Sequence, residues 1–293
     1  MADIEALRVQ EYSTNLDLLS QQMTPKLANI CMTQQAAGNK AFRLMSQIDK
    51  TDAVARATRA QPAINIDLPH TGRWVYPVAY DWGRVVDDID LLQTNIAPQG
   101  AYVRSAVAAM NRKKDELFLT AFFGTAQTGE TGSTGTNFSS ANQVAHNFGT
   151  TESLTAAKMF EAQRILLAND IDLDMEVPHI AISPAEHSHL LALEKVTSDL
   201  YARPVLGEDG RVRNWMGFNI HVSNMLPLDS AGKRRLPFWV QSGMGCGLWK
   251  DLTGTIRSRP DLQGDPAYVE ATMMLNYTRL EEAKCGEIKV TVV

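Results

Sequence analysis

Gly124-Thr-Ala-Gln-Thr-Gly129-Glu130-Thr131 has the glycine spacing of a phosphate-cradling loop, a first candidate for chemistry. Such a loop needs a lysine after its second glycine to neutralise phosphate, and Glu130 stands there instead. A carboxylate repels a triphosphate, and the segment follows a predicted helix rather than a strand, so nucleotide binding is excluded. Gly243-Met-Gly245-Cys-Gly247 has the wrong spacing for a dinucleotide fingerprint, and a tight turn is expected there. Asn169-Asp170-Ile171-Asp172-Leu173-Asp174 and Glu176 begin like a calcium loop. The pattern fails where Met175 replaces the required glycine and Ala181 the required glutamate, and it reads as a solvated helix end feeding a strand.

His187 and His189 stand two residues apart and diverge on a helix, whereas a helical zinc pair is spaced by four. Asp87, Asp88 and Asp90 could pair as acid and base. With no catalytic pattern around them, a charged face or inter-subunit ion pairs to residues such as Arg84 is the better reading. Cys31, Cys246 and Cys285 are far apart, odd in number and outside any CxxC pair, so plain thiols are expected. No nucleophile elbow or Cys/His signature occurs. No catalytic, cofactor-binding or metal-binding residue is assigned, and no enzyme is expected.

The elements around these residues change character every few dozen positions. Residues 1–50 are polar, with scattered Ile4, Leu7, Leu16, Leu19 and Leu27, too little apolar surface for a core of their own. Ile64, Ile66 and Leu68 alternate with polar residues, Pro69-His70-Thr71-Gly72 offers turn chemistry, and Trp74 to Tyr80 returns, which predicts a β-hairpin. Pro62, Pro69 and Pro77 each remove a ladder donor, so these are edge or excursion strands.

A long helix is predicted from Pro98 to Phe123, with Val103, Val107, Met110, Leu117 and Ala121 at helical spacing and Gly124 as its stop. Residues 124–151 are nearly uncharged Gly, Ser, Thr, Asn and Gln and read as a surface excursion. An amphipathic helix follows around Ala156–Leu167, then a buried strand Val177–Ile182. Ser183-Pro184-Ala185-Glu186 forms a strong helix start. Strands are expected at Phe218–Val222, Phe238–Val240, Leu252–Ile256, Tyr268–Leu275 and Glu287–Val293.

The 293 residues suffice for one large domain or two lobes. With 44% hydrophobic and 21% charged residues, general disorder is excluded. No apolar run approaches a bilayer span, and the acidic start Met1-Ala-Asp-Ile-Glu carries no signal-peptide pattern, so folding in a cytoplasm is expected. A net charge of −5, with seven bases against six acids in the first 60 residues, argues against a nucleic-acid-binding arm.

Four passages carry a family resemblance. Tyr102-Val-Arg-Ser-Ala-Val-Ala-Ala-Met-Asn-Arg-Lys-Lys-Asp115 resembles the spine helix of Hong Kong 97-type capsid subunits. Ile180-Ala-Ile-Ser183-Pro184 is similar to their axial-domain strand-to-helix step. Gly210-Arg-Val with Gly217-Phe-Asn-Ile-His-Val-Ser223-Asn224-Met-Leu-Pro227 resembles their glycine, strand, Ser-Asn, Pro passage. Asn276-Tyr-Thr-Arg279 through Glu287-Ile-Lys-Val resembles the C-terminal strands of podovirus-like capsid proteins. The four stand in family order between residues 102 and 290, and together with the polar arm and the β-hairpin before them the resemblance covers nearly the whole chain.

The resemblance implies an α+β Hong Kong 97-like fold divided into an N-terminal arm (1–50), an E-loop with flanking strands (51–92), a P-domain with spine helix and Gly/Ser/Thr loop (93–150), an A-domain (151–255), P-domain return strands (256–282) and a C-terminal strand (283–293). It implies a major capsid protein of a tailed bacteriophage. Hexamers and pentamers would form an icosahedral virion shell around double-stranded DNA, assembled in the host bacterial cytoplasm without a membrane. An encapsulin-like compartment shell remains an alternative on the same fold.

Expected partners are further copies of the chain, a separate scaffolding protein, a portal and a decoration protein, with weak non-specific DNA contact. Arg73, Trp74, Tyr76, Asp81, Arg84, Asp87 and Asp88 are expected at inter-subunit contacts, with the hairpin crossing between subunits. The hairpin begins near residue 60, leaving room only for the arm, so no maturation cleavage and no covalent cross-link are expected.

Overall fold

The computed structural model describes residues 21–36, 42–48, 51–59, 62–63, 65–68, 70–86, 99–149, 153–192 and 210–291. Most of the arm, Ile64 and Pro69 of the expected hairpin, the acidic Asp87 and Asp88, and Pro98 lie outside these residues. Two compact units are present. The first comprises Met1–Pro25, Ala79–Lys114 and Lys250–Met274; the second comprises Lys26–Val78, Asp115–Trp249 and Leu275–Val293.

The elements are β1 (Met32–Gln35), β2 (Phe42–Ile48), β3 (His70–Val75), β4 (Val78–Val86), α1 (Gln99–Phe123), β5 (Ala126–Thr128), β6 (Thr134–Thr136), β7 (Gln143–Val144), α2 (Ala156–Ala168), β8 (Pro178–Ile182), α3 (Pro184–Leu191), β9 (Asn214–Trp215), β10 (Phe218–Val222), β11 (Lys233–Val240), β12 (Met244–Ser258), β13 (Ala267–Arg279) and β14 (Cys285–Thr291). The expected α+β class is observed. Strand orders are β1-β12-β13-β4, β7-β14-β11-β8-β10-β9 and β2-β3-β5-β6.

Three expectations are corrected. The partner of β3 is β2, with Phe42 opposite Val75 and Ile48 opposite His70. The described residues of 51–68 form no strand and are exposed, so the outgoing strand lies some twenty residues before the alternating Ile66 and Leu68. Their alternation meets no partner, and His70–Gly72 are strand rather than turn. Residues 124–151 are not a plain excursion, because β5 and β6 form a hairpin that extends this sheet through Arg73 opposite Thr128. Lastly, only Gly243 belongs to a tight turn, while Gly245 and Gly247 are strand residues. A Cβ on Gly245 would lie 2.1 Å from Leu44 Cδ2, so glycine there admits a neighbouring strand's side chain.

In the first unit, the long helix holds the chain through polar contacts. Arg112 donates to Gln21 Oε1 at 2.6 Å and Asn111 Nδ2 to the Met23 carbonyl at 2.7 Å. Lys114 pairs with Asp251 at 3.1 Å. A Cβ on Gly83 would lie 2.0 Å from Tyr268 Oη, which makes β4 glycine-dependent at that crossing.

In the second unit, β8 is a continuous buried run through Ile180, Ala181 and Ile182, as a strand covered on both faces requires. Ser183 Oγ accepts the Glu186 N–H, and Pro184 opens α3, as the residue types dictate. The Glu186 carboxylate accepts the Leu154 N–H. Thr155 caps α2 in the same way. Trp239 is the centre of the core, 5.2 Å from Phe118 and 6.0 Å from Phe122 by ring centroids. Its Nε1 donates to the Ile30 carbonyl at 3.0 Å, so the segment before β1 is part of this core, with Leu27, Ala28 and Cys31 buried. The arm is thus core-forming from Lys26 onward. Its apolar residues are few, but a carboxylate fixes them: Asp115, fully buried on α1, accepts the N–H groups of Lys26, Leu27 and Ala28 at 2.9–3.0 Å.

Asp115→Ala strands those three donors at a cost on the order of 3–5 kcal/mol, and Asp115→Asn, which keeps one acceptor oxygen, costs less. Urea unfolding of dissociated subunits measures both. Equal stability of the alanine variant and the wild type would refute this role.

The paired strands β8 and β10 also bring His179 Nδ1 to 3.1 Å from His221 Nε2, with His179 stacked on Trp239. Burial, reinforced by His221, lowers the His179 pKa from 6.5 to about 4, and burial also lowers that of His221. Above pH 6.5 neither folded nor unfolded chain protonates the rings. Between 6.5 and about 4 the unfolded chain takes protons that the folded chain refuses, so stability falls through that window. Denaturation midpoints of wild type and His179→Gln, taken at neutral pH and at about pH 5, should show the larger acid loss in wild type. Parallel losses would count against the pair.

Candidate assembly surface

Of the residues expected at subunit contacts, the structure separates two groups. Arg73 and Trp74 turn into their own subunit. Arg73 Nε donates to the Leu280 carbonyl at 2.8 Å and Nη1 stands 3.7 Å from Glu282 Oε1. Burial lowers the Arg73 pKa, and Glu282 opposes that shift. Trp74 Nε1 donates to the Gly129 carbonyl at 2.8 Å, and a Cβ on Gly132 would lie 2.8 Å from Trp74 Cγ.

Gly129 and Gly132 have φ of +91° and +73°, conformations that favour glycine. Of the two glycines whose spacing resembled a phosphate loop, Gly124 follows the end of α1, and Gly129 joins Gly132 in the β5–β6 turn around an indole.

Tyr76, Asp81 and Arg84 face outward. Tyr76 is 42% exposed, although its hydroxyl reaches the Gly132 carbonyl at 3.3 Å. Its carbonyl accepts Asn276 Nδ2 at 2.9 Å. The Arg84 guanidinium lies 4.7 Å from the centroid of the Tyr102 ring. Asp87 and Asp88 lie outside the described residues.

Between β2 and β3, Val54, Ile66 and Leu68 are 60%, 41% and 44% exposed.

The residues that sequence reasoning missed are buried and charged. Arg279 has no exposed surface, and its guanidinium donates to the carbonyls of Ala121, Phe122, Gly124 and Thr136 and to Glu282. Lys158, also buried, donates to the carbonyls of His146 and Ser153 at 2.6 and 2.8 Å. Arg235 pairs with the buried Glu287 and lies 3.8 Å over the Phe123 ring.

These are joints between chain segments, and each uses its charge to satisfy backbone or a counter-charge. The calcium-like stretch is likewise structural, with Asp172 accepting the Asp174 N–H and Glu176 accepting the Ser242 hydroxyl. Among the described residues no group of three or more His, Cys, Asp and Glu converges to hold a metal.

The model of the phage capsid protein family matches residues 4–292. No curated protein sequence matches the chain. Among solved structures, the capsid of cyanophage P-SCSP1u is similar at 13% identity and a TM-score of 0.75, covering 99% of this chain and 94% of that one. The capsid of Ralstonia phage GP4 is similar at 11% identity and a TM-score of 0.71, over 98% and 96% of the two chains. The cyanophage Pam1 capsid matches at 12% identity and a TM-score of 0.69, over the full length of both. The likeness to these structures is one of fold, and the fold is the Hong Kong 97-like capsid fold. With the family match running through all but the ends, the chain belongs to the phage capsid protein family and is a major capsid protein, a structural subunit of the head shell.

Proposed function

We propose that the chain assembles as hexamers and pentamers into an icosahedral head that encloses double-stranded DNA. The observation that carries this reading is the family match over residues 4–292, on a fold that matches phage capsids at full length. Assembly takes place in the host bacterial cytoplasm, with a separate scaffolding protein, a portal and a decoration protein as partners. The chain divides functionally into an arm (1–50), an E-loop with its strands (51–92), a P-domain (93–150 and 256–282), an A-domain (151–255) and a C-terminal strand (283–293).

Neighbouring subunits are held by two sets of side chains. Tyr76, Asp81 and Arg84, together with Asp87 and Asp88, supply polar contacts. Val54, Ile66 and Leu68 supply apolar ones, which gain stability only when a neighbour removes them from water. Exposure of these apolar residues in the single subunit supports that role.

Expressed protein, with scaffold supplied where needed, should form shells, tubes or capsomers visible by light scattering and electron microscopy. A clean monomer under all these conditions would overturn the proposal, and particles filled with a protein cargo instead of nucleic acid would point to a compartment shell. Ile66→Asp with Leu68→Asp should lower shell yield at least tenfold while leaving subunit melting unchanged, since interface anchors often contribute about 2 kcal/mol or more. Undiminished shell yield would remove this segment from the interface.

A further inference from the structure

Cys31 and Cys246 stand more than two hundred residues apart in the chain and meet inside the second unit. β1 runs parallel to β12 with Thr33 opposite Cys246. The Cys31 side chain lies alongside Thr33, its Sγ 4.0 Å from Thr33 Oγ1, and its thiol is hydrogen-bonded to that of Cys246. Both residues are 4% exposed. The Tyr277 hydroxyl reaches Cys246 from β13 by a further hydrogen bond and closes the cluster.

The pair lies at the root of the arm. Cys31 Sγ donates to the Ala28 carbonyl at 3.2 Å, the Ala28 N–H is held by Asp115, and the Ile30 carbonyl accepts from Trp239. Hydrogen bonds thus tie this root to the core. Side chains in contact across paired strands have the separation that a disulfide spans. The bond to Cys246 and burial push the Cys31 thiol well above its ordinary range, which keeps the pair reduced and closes it to bulky reagents.

We propose that Cys31 and Cys246 form a redox modification site, closed to a disulfide within one subunit by a small oxidant of the peroxide class. One thiolate attacks the O–O bond of the peroxide, becomes a sulfenic acid and releases hydroxide. The second thiol then attacks that sulfur: the S–S bond forms, the S–O bond breaks and water leaves. Overall the two thiols lose two electrons and two protons, and one peroxide is reduced to two waters. Closure makes the attachment of the arm root covalent and constrains a loop of over two hundred residues in the unfolded chain. In the head proposed above, on which this last step rests, the oxidant is met after release from a reducing cytoplasm, so the link is added to a finished subunit.

The test treats folded wild-type subunits, dissociated or in shells, with hydrogen peroxide at about pH 7 and about pH 9, then alkylates the remaining thiols in denaturant. Peptide mapping should show Cys31 joined to Cys246 and Cys285 alkylated. Cys285, whose thiol donates to the Gly243 carbonyl at 3.5 Å, is the internal control. Because the thiolate is the reacting form, closure should be at least about tenfold faster at the higher pH.

Oxidised wild type should melt on the order of 5 °C above the reduced protein, and dithiothreitol should reverse the gain. Cys31→Ala and Cys246→Ala should show no gain on treatment, and the mapping, done on wild type alone, stands even where a variant does not fold. Both thiols alkylated at both pH values, sulfinic acids in place of the link, or a link between different subunits would overturn the site. A link that leaves melting unchanged would overturn its stabilising role. Shell assembly is read separately, by microscopy of the same preparations, so its failure is distinguishable from that of the thiol pair.

Discussion

A long helix ends with carbonyls that no further turn can satisfy, and here that end is inside the protein, away from water. The Arg279 guanidinium resolves this, donating to Ala121, Phe122 and Gly124 at the helix terminus and to Thr136 on β6. Its position also places positive charge at the negative end of the helix dipole. One side chain therefore sets where α1 stops, where β13 stops and how the β5–β6 hairpin lies. Glu282 balances the charge and stands beside Arg73, so the sheet of β2, β3, β5 and β6 is tied to the same point. Replacing such a group with an apolar one leaves several buried acceptors without a donor, which is costlier than losing a single hydrogen bond.

The usual partition of side chains is partly inverted. Asp115, Lys158, Arg279 and Glu287 are inside, while Val54, Ile66 and Leu68 are outside. Both halves of the inversion suit a shell subunit. Buried charges join remote backbone segments and make the individual subunit specific in shape. In the assembly proposed above, the exposed apolar side chains would gain hydrophobic stabilisation between copies. Arg73 is buried against Leu280 and Glu282, and Trp74 is half-buried on the β5–β6 turn through the Gly129 carbonyl.

What was legible in the sequence was what is decided locally. Ser183-Pro184 at the start of α3, Gly124 after α1 and the apolar run of β8 each carry their signal within a few residues, and each is found as expected. The β2–β3 pairing was illegible because its register depends on a partner more than twenty residues away and not on the alternation at Ile66 and Leu68. The Gly/Thr composition of 124–136 suggested solvent, yet backbone pairing makes strands of it without large side chains. Arg279 sits in Tyr-Thr-Arg-Leu-Glu-Glu, a string that reads as a solvated face; its burial follows from a helix end 158 residues earlier. The His179–His221 contact was missed for the same reason, as the parallel pairing of β8 with β10 creates it.

The joints described here have a temporal consequence. Ile30 meets Trp239 across 209 residues, and Arg73 meets Leu280 across 207. A ribosome releases the N-terminal partner of each contact long before the C-terminal one exists. The second unit therefore cannot close until Leu280 has been made, and its loop-closure entropy is met late. Nascent chains are exposed for that interval and depend on whatever shields their apolar surface. The same delay has a protective side: a chain cut short before Trp239 lacks both joints and cannot offer a closed second unit to a growing shell.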